Sequence, residues 1–232
     1  MTAFLRRIGS GVGIMLAVMP PAFATPDFAQ AWLPEDVRQV AHWAYTSGDP
    51  GGRSVVIVDK KQARVFVLDP VGRFQGVAPV LLGSARGDHT VPGVGDKPLS
   101  QVLPEERTTP AGRFIAEPGV NAQGEDIIWI DYAAAISMHR VRTRVQAERR
   151  LQRLASPTPD DNRISYGCIN LPHRFYEEVL APRARSGAVV YVLPETRPHH
   201  EVFESGGATT RPAGTVRHRL LTATDGTLNA DH

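Results

Sequence analysis

The sequence predicts a mainly β protein, with mixed sheets that form a β-sandwich or barrel-like body and a few peripheral helices. Short runs rich in β-branched residues recur between turn signals, which is typical of a sandwich or barrel. The 232 residues include 21 glycines and 19 prolines, and this abundance of turn formers suits a β protein better than a helical bundle. The apolar content of 42% supplies a core that folds without disulfide or metal staples.

The first 24 residues have the pattern of a secretory signal peptide. Two arginines precede an apolar stretch from Ile8 to Met19, and a small-x-small cleavage site ends at Ala24. The apolar stretch is shorter than the roughly 20 residues that span a bilayer, so cleavage is favoured over a membrane anchor. We therefore expect an exported protein with no stable membrane span after signal cleavage.

Cleavage would also change the charge balance. The full chain has 26 basic and 24 acidic residues. Because the leader carries two arginines and no acidic residue, the mature chain has a formal charge of zero. Electrostatics thus gives no reason to expect a nucleic acid or an anionic membrane surface as a partner.

The segment 25–52 is predicted to be a leading helix followed by a linker. Apolar residues recur at helical spacing from Pro34 to Tyr45. Pro34 suits the first turn of a helix, and the glycine-rich stretch from Gly48 to Gly52 ends it.

Residues 53–195 are predicted to form the folded domain. β signals occur in six runs, of which the first two form a hairpin. The predicted strands are Ser54–Val58, Arg64–Leu68, Phe74–Leu82, Arg113–Ala116, Asp126–Tyr132 and Ala188–Leu193. The stretch from Gly83 to Pro104 is a long loop, and loops of that length inside a compact domain tend to be functional.

Two more helices are predicted inside this domain, and a tail is predicted after it. Strong helix formers fill Arg142–Leu154, whose arginines are expected to form a solvated face, with a binding role as the alternative. The other helix, Pro172–Ala181, has aromatic and aliphatic residues facing inward. From 196 to 232 the hydrophobic pattern fades, which predicts a flexible tail.

The single cysteine, Cys168, rules out an intramolecular disulfide. A lone thiol in an exported protein is either buried and inert or reactive. Gly167 allows backbone N–H groups to approach one oxygen closely, and a helix expected after Cys168 would stabilise a thiolate at its N-terminus, with Asn170 as a cap for the following turn. Together these features describe a nucleophile beside its own oxyanion site.

A thiol nucleophile also needs a base, and His139 is the candidate. The other histidines fit less well, since they fall in the leading helix, the long loop, the helix after Cys168, and the tail or its start. A structural or solvated histidine is the alternative for His139. The run His199-His200-Glu201 suggests a metal site, but adjacent histidines point in different directions. We expect no metal and no cofactor.

The residues from Ser165 to Asn170, with His139 upstream, resemble the hallmark of the L,D-transpeptidase catalytic domain (YkuD-like) family. That hallmark is a His followed downstream by Ser or Thr, His, Gly, Cys, an apolar residue, and Asn or Arg. The segment Thr109–Phe114 is similar to the family's Thr-Pro-x-Gly-x-Phe element, and the resemblance covers 54–193. Tyr166 departs from the family in standing where a His is usual. The chain between His139 and Ser165 is also longer than usual, which an inserted helix on a closed loop accommodates at little entropic cost.

The resemblance implies a YkuD-like fold over 53–195 and a cysteine acyltransferase in the periplasm or at the cell wall. Its partners would be peptidoglycan stem peptides, as acyl donors, and an amine acceptor. His139 would take the proton of Cys168, and the N–H groups of Tyr166, Gly167 and Cys168 would hold the oxyanion. The supporting residues of the site would be Ser137, Ser165 and Asn170, with Ser137 or a nearby carbonyl orienting His139.

Two other functions remain open at this point. The same Cys-His site would serve a peptidoglycan hydrolase, an L,D-carboxypeptidase or amidase, if water rather than an amine received the acyl group. A non-catalytic wall-binding module is the third interpretation, in which Tyr166 marks lost activity.

Overall fold

The computed structural model describes residues 33–203. The predicted leader at 1–24 lies outside the described residues, as do 25–32 of the leading segment and 204–232 of the predicted tail. No helix within 33–203 has the length and apolar character needed to cross a membrane.

Ten strands and several short helices make up this part of the chain. The strands are β1 Ser54–Asp59, β2 Arg64–Leu68, β3 Phe74–Pro79, β4 Leu82–Gly83, β5 Gly112–Val120, β6 Asp126–Asp131, β7 Ile136–Arg140, β8 Arg163–Ser165, β9 Ile169–Leu171 and β10 Ala188–Val192. The α-helices are α1 Glu35–Ser47, α2 Arg150–Leu154, α3 His173–Phe175, α4 Ala181–Ala184 and α5 His200–Phe203. A π-helix at Tyr176–Leu180 joins α3 to α4, and 3₁₀ turns lie at Val94–Asp96, Leu99–Gln101, Pro104–Glu106, Gln146–Glu148 and Pro159–Asn162.

Eight of the strands form one mixed sheet in the order β3-β2-β1-β10-β5-β6-β7-β9, and β4 pairs with β8 separately. Within the large sheet the pairs β1–β10 and β7–β9 are parallel, and the other pairs are antiparallel. The prediction of a mainly β fold with mixed sheets and few helices is therefore confirmed.

Strand β5 joins the two halves of the large sheet. Its first residues pair with β10, from Gly112 to Ala116, and its last residues pair with β6, from Glu117 to Val120. Alternate residues of both halves enter one hydrophobic cluster. Its members include Val56, Val58, Val65 and Val67 from one half and Ile128, Ile130, Met138 and Ile169 from the other. The two halves thus pack like the layers of a sandwich, with β5 as the strand that passes between them.

A second hydrophobic cluster covers the other face of the β1–β2–β10 half. The buried side of α1 packs there through Val37, Val40, Ala41 and Ala44. Strand β1 is consequently buried on both faces along its whole length, which is why its sequence reads as a continuous apolar run. The predicted leading helix is confirmed.

The predicted start of the tail at 196 is wrong. Helix α5 follows β10, and its Phe203 is only 2% exposed. The Phe203 ring lies 5.6 Å from Tyr191 and 6.3 Å from Trp43, measured between centroids. One aromatic anchor in a polar segment gives no periodic signal, and so the sequence pattern did not reveal this docking.

Three further predictions need correction. The predicted strand Phe74–Leu82 ends at Pro79, and Leu82 begins the separate strand β4. The helix predicted for Arg142–Leu154 is reduced to one 3₁₀ turn and α2, because Arg149 has a left-handed φ of 53° that separates them. The strands β7, β8 and β9 were not predicted, since runs of three to five residues are too short to show a period.

A buried ion pair ties the long loop to the sheet. Lys60, directly after β1, is 1% exposed. Its Nζ donates to Asp88 Oδ1 at 2.8 Å, to Gly87 O at 2.5 Å and to Thr109 O at 2.9 Å. Asp88 also accepts from the Thr196 N–H at 3.0 Å and from the Thr196 hydroxyl. All three N–H groups of the ammonium are therefore satisfied, and one carboxylate anchors the chain that leaves β10.

We expect Lys60→Met to lower the free energy of unfolding by about 3–5 kcal/mol, because it leaves the Asp88 carboxylate buried without its charge partner. The neighbouring variant Lys61→Met is the matched control. Lys61 pairs with Asp36 at 3.2 Å on the surface, with both side chains more than 40% exposed, so its loss should cost less than about 1 kcal/mol. Urea unfolding measures both values, and equal effects of the two substitutions would contradict this account of the pair.

The contribution of Asp88 to the free energy of unfolding should be lost in acid. Burial alone would raise the pKa of Asp88, but hydrogen bonds from Lys60 and Thr196 outweigh it and hold the pKa well below its ordinary value. A carboxyl whose pKa is depressed by folding stabilises the protein above its unfolded pKa of about 4, and this contribution is lost as the pH falls. We expect the free energy of unfolding to decline from about pH 4 downward.

The variant Asp88→Asn should flatten this decline, whereas Asp96→Asn, at an exposed position, should leave its slope unchanged. Urea titrations at several pH values measure the slope. An Asp88→Asn protein with the wild-type slope would show that other carboxyls cause the acid sensitivity.

Candidate active site

The parallel pairing of β7 with β9 brings the two predicted catalytic segments together. His139 on β7 is in register with Asn170 on β9, and Cys168 immediately precedes β9. Because side chains alternate along a strand, Ile136 and Met138 enter the hydrophobic core, while Ser137 and His139 point to the other face. The sheet therefore places the Cys168 segment beside the polar face of β7.

The Cys168 sulfur lies among polar groups although the side chain is only 1% exposed. The Ser137 N–H donates to Sγ at 3.4 Å, and the Ser137 hydroxyl lies 3.5 Å from it. The Cys168 S–H donates to Ala135 O at 3.5 Å. The predicted supporting residue Ser137 thus contacts the sulfur itself.

The surroundings of Cys168 favour the thiol over the thiolate. Burial raises the pKa of the Cys168 thiol, and the hydrogen bonds from Ser137 and the charges of Arg142 and Arg150 oppose that rise without cancelling it. A reaction that uses this sulfur as a nucleophile would therefore need a base to remove the proton.

The expected helix after Cys168 is absent, so the prediction of a thiolate stabilised by a helix N-terminus is wrong. Ile169–Leu171 is strand β9, and α3 begins only at His173. Asn170 consequently does not cap a turn. Its Oδ1 accepts from Arg150 and its Nδ2 lies 3.4 Å from His139 Nε2. The apolar-polar-apolar order of these three residues fits a strand, but the segment is too short for the pattern to be decisive.

The turn before Cys168 requires glycine. Gly167 has a φ of 134°, where residues with a Cβ are rare. A Cβ on Gly167 would lie 2.5 Å from Ile136 Cδ1 and 2.8 Å from Thr108 O. The sequence-based inference that glycine permits a close backbone approach at this position agrees with these distances.

Two buried hydroxyls hold this turn. Ser165 Oγ accepts from the Gly167 N–H at 3.1 Å and donates to Cys168 O at 2.6 Å. Thr109 Oγ1 donates to Gly167 O at 2.8 Å and accepts from the Gly83 N–H at 2.9 Å. Of the three predicted oxyanion donors, the Gly167 N–H is thus already bonded within the turn. Thr109 was noted in the sequence only as part of a Thr-Pro element, and its role in holding the turn was missed.

His139 is 3% exposed and lies at a cavity. Its Nδ1 is 2.8 Å from Arg140 O, so a nearby carbonyl does contact the ring. The cavity has a volume of about 340 Å³. The ionisable side chains that line it are Glu125, Asp126, His139, Arg140, Arg142, His173 and Glu177.

The charges around this cavity are largely paired. Arg140 bonds Asp126 at 2.9 Å and Glu177 at 3.0 Å, and Arg142 bonds Glu125 at 2.6 Å. The hydrogen bond from Arg140 is the main reason that the pKa of Asp126 is below its usual value. The cavity thus offers both positive and negative groups close to the imidazole.

Tyr166, which stands where the resembling family usually has a His, is half-buried against the core. The Arg107 guanidinium carbon lies 4.1 Å from the centroid of its ring. This cation–π contact fixes the ring beside the turn that carries Cys168.

The residues 33–203 contain no group of three or more His, Cys, Asp or Glu side chains that could hold a metal ion. In the run His199-His200-Glu201, the His199 Nδ1 lies 3.8 Å from Asp36 Oδ1. This run joins α5 to α1.

The sequence matches no protein-family model and no curated protein. Solved structures do match. The catalytic domain of an L,D-transpeptidase from E. faecium is 16% identical, with a TM-score of 0.36, over 61% of this chain and 98% of that one. An L,D-transpeptidase from Xylanimonas cellulosilytica is 12% identical, with a TM-score of 0.37, over 65% of this chain and 67% of that one.

The helical cell shape determining protein Pgp2 from Campylobacter jejuni is 15% identical, with a TM-score of 0.38, over 63% of this chain and 49% of that one. L,D-transpeptidase catalytic domains, the family whose motif the sequence resembles, are thus among the solved structures that the chain matches. At these identities and TM-scores, what the chain does has to be inferred from its own residues.

We expect Gly167→Ala to destabilise the turn, because the added methyl group would meet Ile136 and Thr108 O while φ is left-handed. The cost should be at least about 1–3 kcal/mol. Gly124→Ala is the matched control, since Gly124 has a φ of 78° with nothing within 4 Å of the added Cβ. Its cost should be limited to about 1–2 kcal/mol of left-handed backbone strain. Chemical unfolding compares the two, and a smaller loss for Gly167→Ala than for the control would refute the tight approach.

Proposed function

We propose that the protein is an exported cysteine L,D-transpeptidase that acts on peptidoglycan stem peptides through a thioester on Cys168. The observation that supports this most is the β7–β9 register. It sets the Cys168 segment against the strand that carries His139. The order of these two residues along the chain and the motif Ser165–Asn170 resemble those of the family. Export is proposed from the signal pattern at 1–24.

The acyl transfer would proceed in two steps. His139 takes the proton of the Cys168 thiol, and the sulfur attacks the carbonyl carbon before a terminal D-amino acid. The C–N bond then breaks, and the leaving amine takes the proton from His139. In the second step an amine attacks the thioester, the C–S bond breaks, and the sulfur recovers a proton.

Backbone N–H groups of the turn 166–168 would stabilise the oxyanion of both steps. One well-placed donor is worth about 3 kcal/mol of the barrier. Since the Gly167 N–H is bonded to Ser165 Oγ at 3.1 Å, its contribution requires that this bond shift when substrate binds. In this scheme the Gly167 N–H joins those of Tyr166 and Cys168 in the oxyanion site only after this shift.

The cavity beside His139 supports a peptide substrate that carries charges. Stem peptides present carboxylates and amines, and the cavity wall holds arginines next to carboxylates. These wall groups bond one another. A substrate that carries both a carboxylate and an amine can therefore exchange partners with them without leaving an unpaired charge behind.

We expect Cys168→Ala to abolish product formation from purified muropeptides and His139→Asn to reduce the rate by at least about a hundredfold. The control is His42→Asn, on the exposed side of α1, which should keep the wild-type rate. Mass spectrometry of the products measures these effects. Full activity in Cys168→Ala would exclude the thioester mechanism.

The same experiment with wild-type protein separates transfer from hydrolysis. Cross-linked dimers are the products expected for a transpeptidase. If the only products are shortened stems, the acyl group passes to water, and the protein is a hydrolase instead. If no product forms and a carbapenem leaves no adduct on Cys168, the site is not catalytic.

A further inference from the structure

Arg150 is buried, although the sequence places it among arginines expected to be solvated. The side chain is 5% exposed, and its Nε donates to Glu148 Oε2 at 2.6 Å. Its Nη1 donates to Asn170 Oδ1 at 2.6 Å. Because both bonds are charge-assisted, they hold the guanidinium and the amide in fixed positions.

The bond from Arg150 decides which way the Asn170 amide points. A guanidinium can only donate, so the atom that faces it must be the amide oxygen. The Asn170 NH₂ group is then turned to the opposite side. It lies 3.4 Å from His139 Nε2 and 3.4 Å from Cys168 O.

The Arg140 carbonyl and the Asn170 amide together favour one tautomer of His139. The ring Nδ1 is 2.8 Å from Arg140 O, and since a carbonyl only accepts, Nδ1 carries the proton. Nε2 faces the Asn170 NH₂ donor and therefore presents its lone pair in the neutral ring.

We propose that Arg150 is a positioning residue for His139. It fixes the Asn170 amide so that the neutral imidazole keeps its proton on Nδ1 and offers Nε2 as the basic atom. The inference rests on the proposed function only in giving His139 the role of the base. In this scheme Arg150 positions the imidazole through Asn170, and its positive charge also acts on the Cys168 thiol.

The same arrangement disfavours the imidazolium ion. A proton on Nε2 would point at the Asn170 NH₂ group, so two donors would oppose each other. Without Arg150 the amide can rotate and offer its oxygen to a protonated Nε2, and one nearby positive charge is removed. The other ionisable groups that line the cavity with His139 are Glu125, Asp126, Arg140, Arg142, His173 and Glu177, and the substitution leaves them in place.

The direct test is the tautomer of His139, read from long-range ¹H–¹⁵N spectra of ¹⁵N-histidine-labelled protein, with His139→Gln used for assignment. Near neutral pH, we expect the wild-type ring to carry a proton on Nδ1 and none on Nε2. In Arg150→Met we expect a mixture of tautomers, and in Arg150→Lys, which keeps a donor for Asn170 Oδ1, a return toward the single form. The control is Arg153→Met. Arg153 bonds Glu148 O and Asp161 O from the same helix, and its loss should not change the tautomer.

The second readout is the pH profile of muropeptide turnover. In Arg150→Met the acidic limb should move up by about one pH unit, since the base becomes protonated at a higher pH, while Arg153→Met keeps the wild-type limb. An unchanged tautomer in folded Arg150→Met overturns the inference. If Arg150→Met does not fold, Asn170→Asp decides, because a carboxylate facing Nε2 must place a proton there, and an unprotonated Nε2 in that variant overturns it.

The two proposals fail separately. An inactive wild-type protein with the single tautomer would refute the proposed function and leave the positioning of His139 by Arg150 intact. An active wild-type protein whose His139 tautomer does not respond to Arg150→Met would support the proposed function and refute the positioning of His139 by Arg150.

Discussion

The parallel pairing of β7 with β9 is the constraint on which the candidate site depends. It sets His139 level with Asn170 and fixes the distance of Cys168 from Ser137. Parallel neighbours cannot be joined by a tight hairpin, so the chain needs a crossover connection of a dozen residues or more between them. The pairing thus requires a connection of this kind between the two segments, and the connection in this chain contains α2 and brings Arg150 to the site.

Thr109 links the buried ion pair to the turn that carries Cys168. Its carbonyl accepts from Lys60 Nζ at 2.9 Å, and its hydroxyl donates to Gly167 O at 2.8 Å. Asp88, Lys60, Thr109 and Gly167 therefore form one continuous set of hydrogen bonds from the end of β10 to the residue before Cys168. Breaking any one of these bonds would leave a buried polar group unsatisfied, at a cost of about 1–3 kcal/mol. The set of bonds therefore holds the turn in a fixed position relative to the ion pair.

The elements of the fold that could be predicted from the sequence are those with an apolar pattern that continues over several residues. β1, β2 and α1 carry apolar runs or helical spacing over five residues or more, and their predicted ranges agree closely with the structure. The Cys168 and His139 segments were predicted from the chemistry of their residues and from a family motif. The remaining features of the site depend on contacts between residues that are distant in the sequence. No local pattern shows that Arg150 turns inward to an amide or that Ile169–Leu171 is a strand, because a pairing partner distant in the chain decides both.

Strand β9 ends the eight-stranded sheet, yet its outer edge is not open at the site. The Asn170 N–H donates to Leu81 O at 2.9 Å, and the Leu81 N–H donates to Asn170 O at 2.9 Å. An incoming peptide finds no vacant main-chain groups at residue 170 and cannot bind there by adding a strand to the sheet. If the proposed stem-peptide substrate binds at this point, its recognition must come from side chains and from the mouth of the cavity, and not from main-chain pairing.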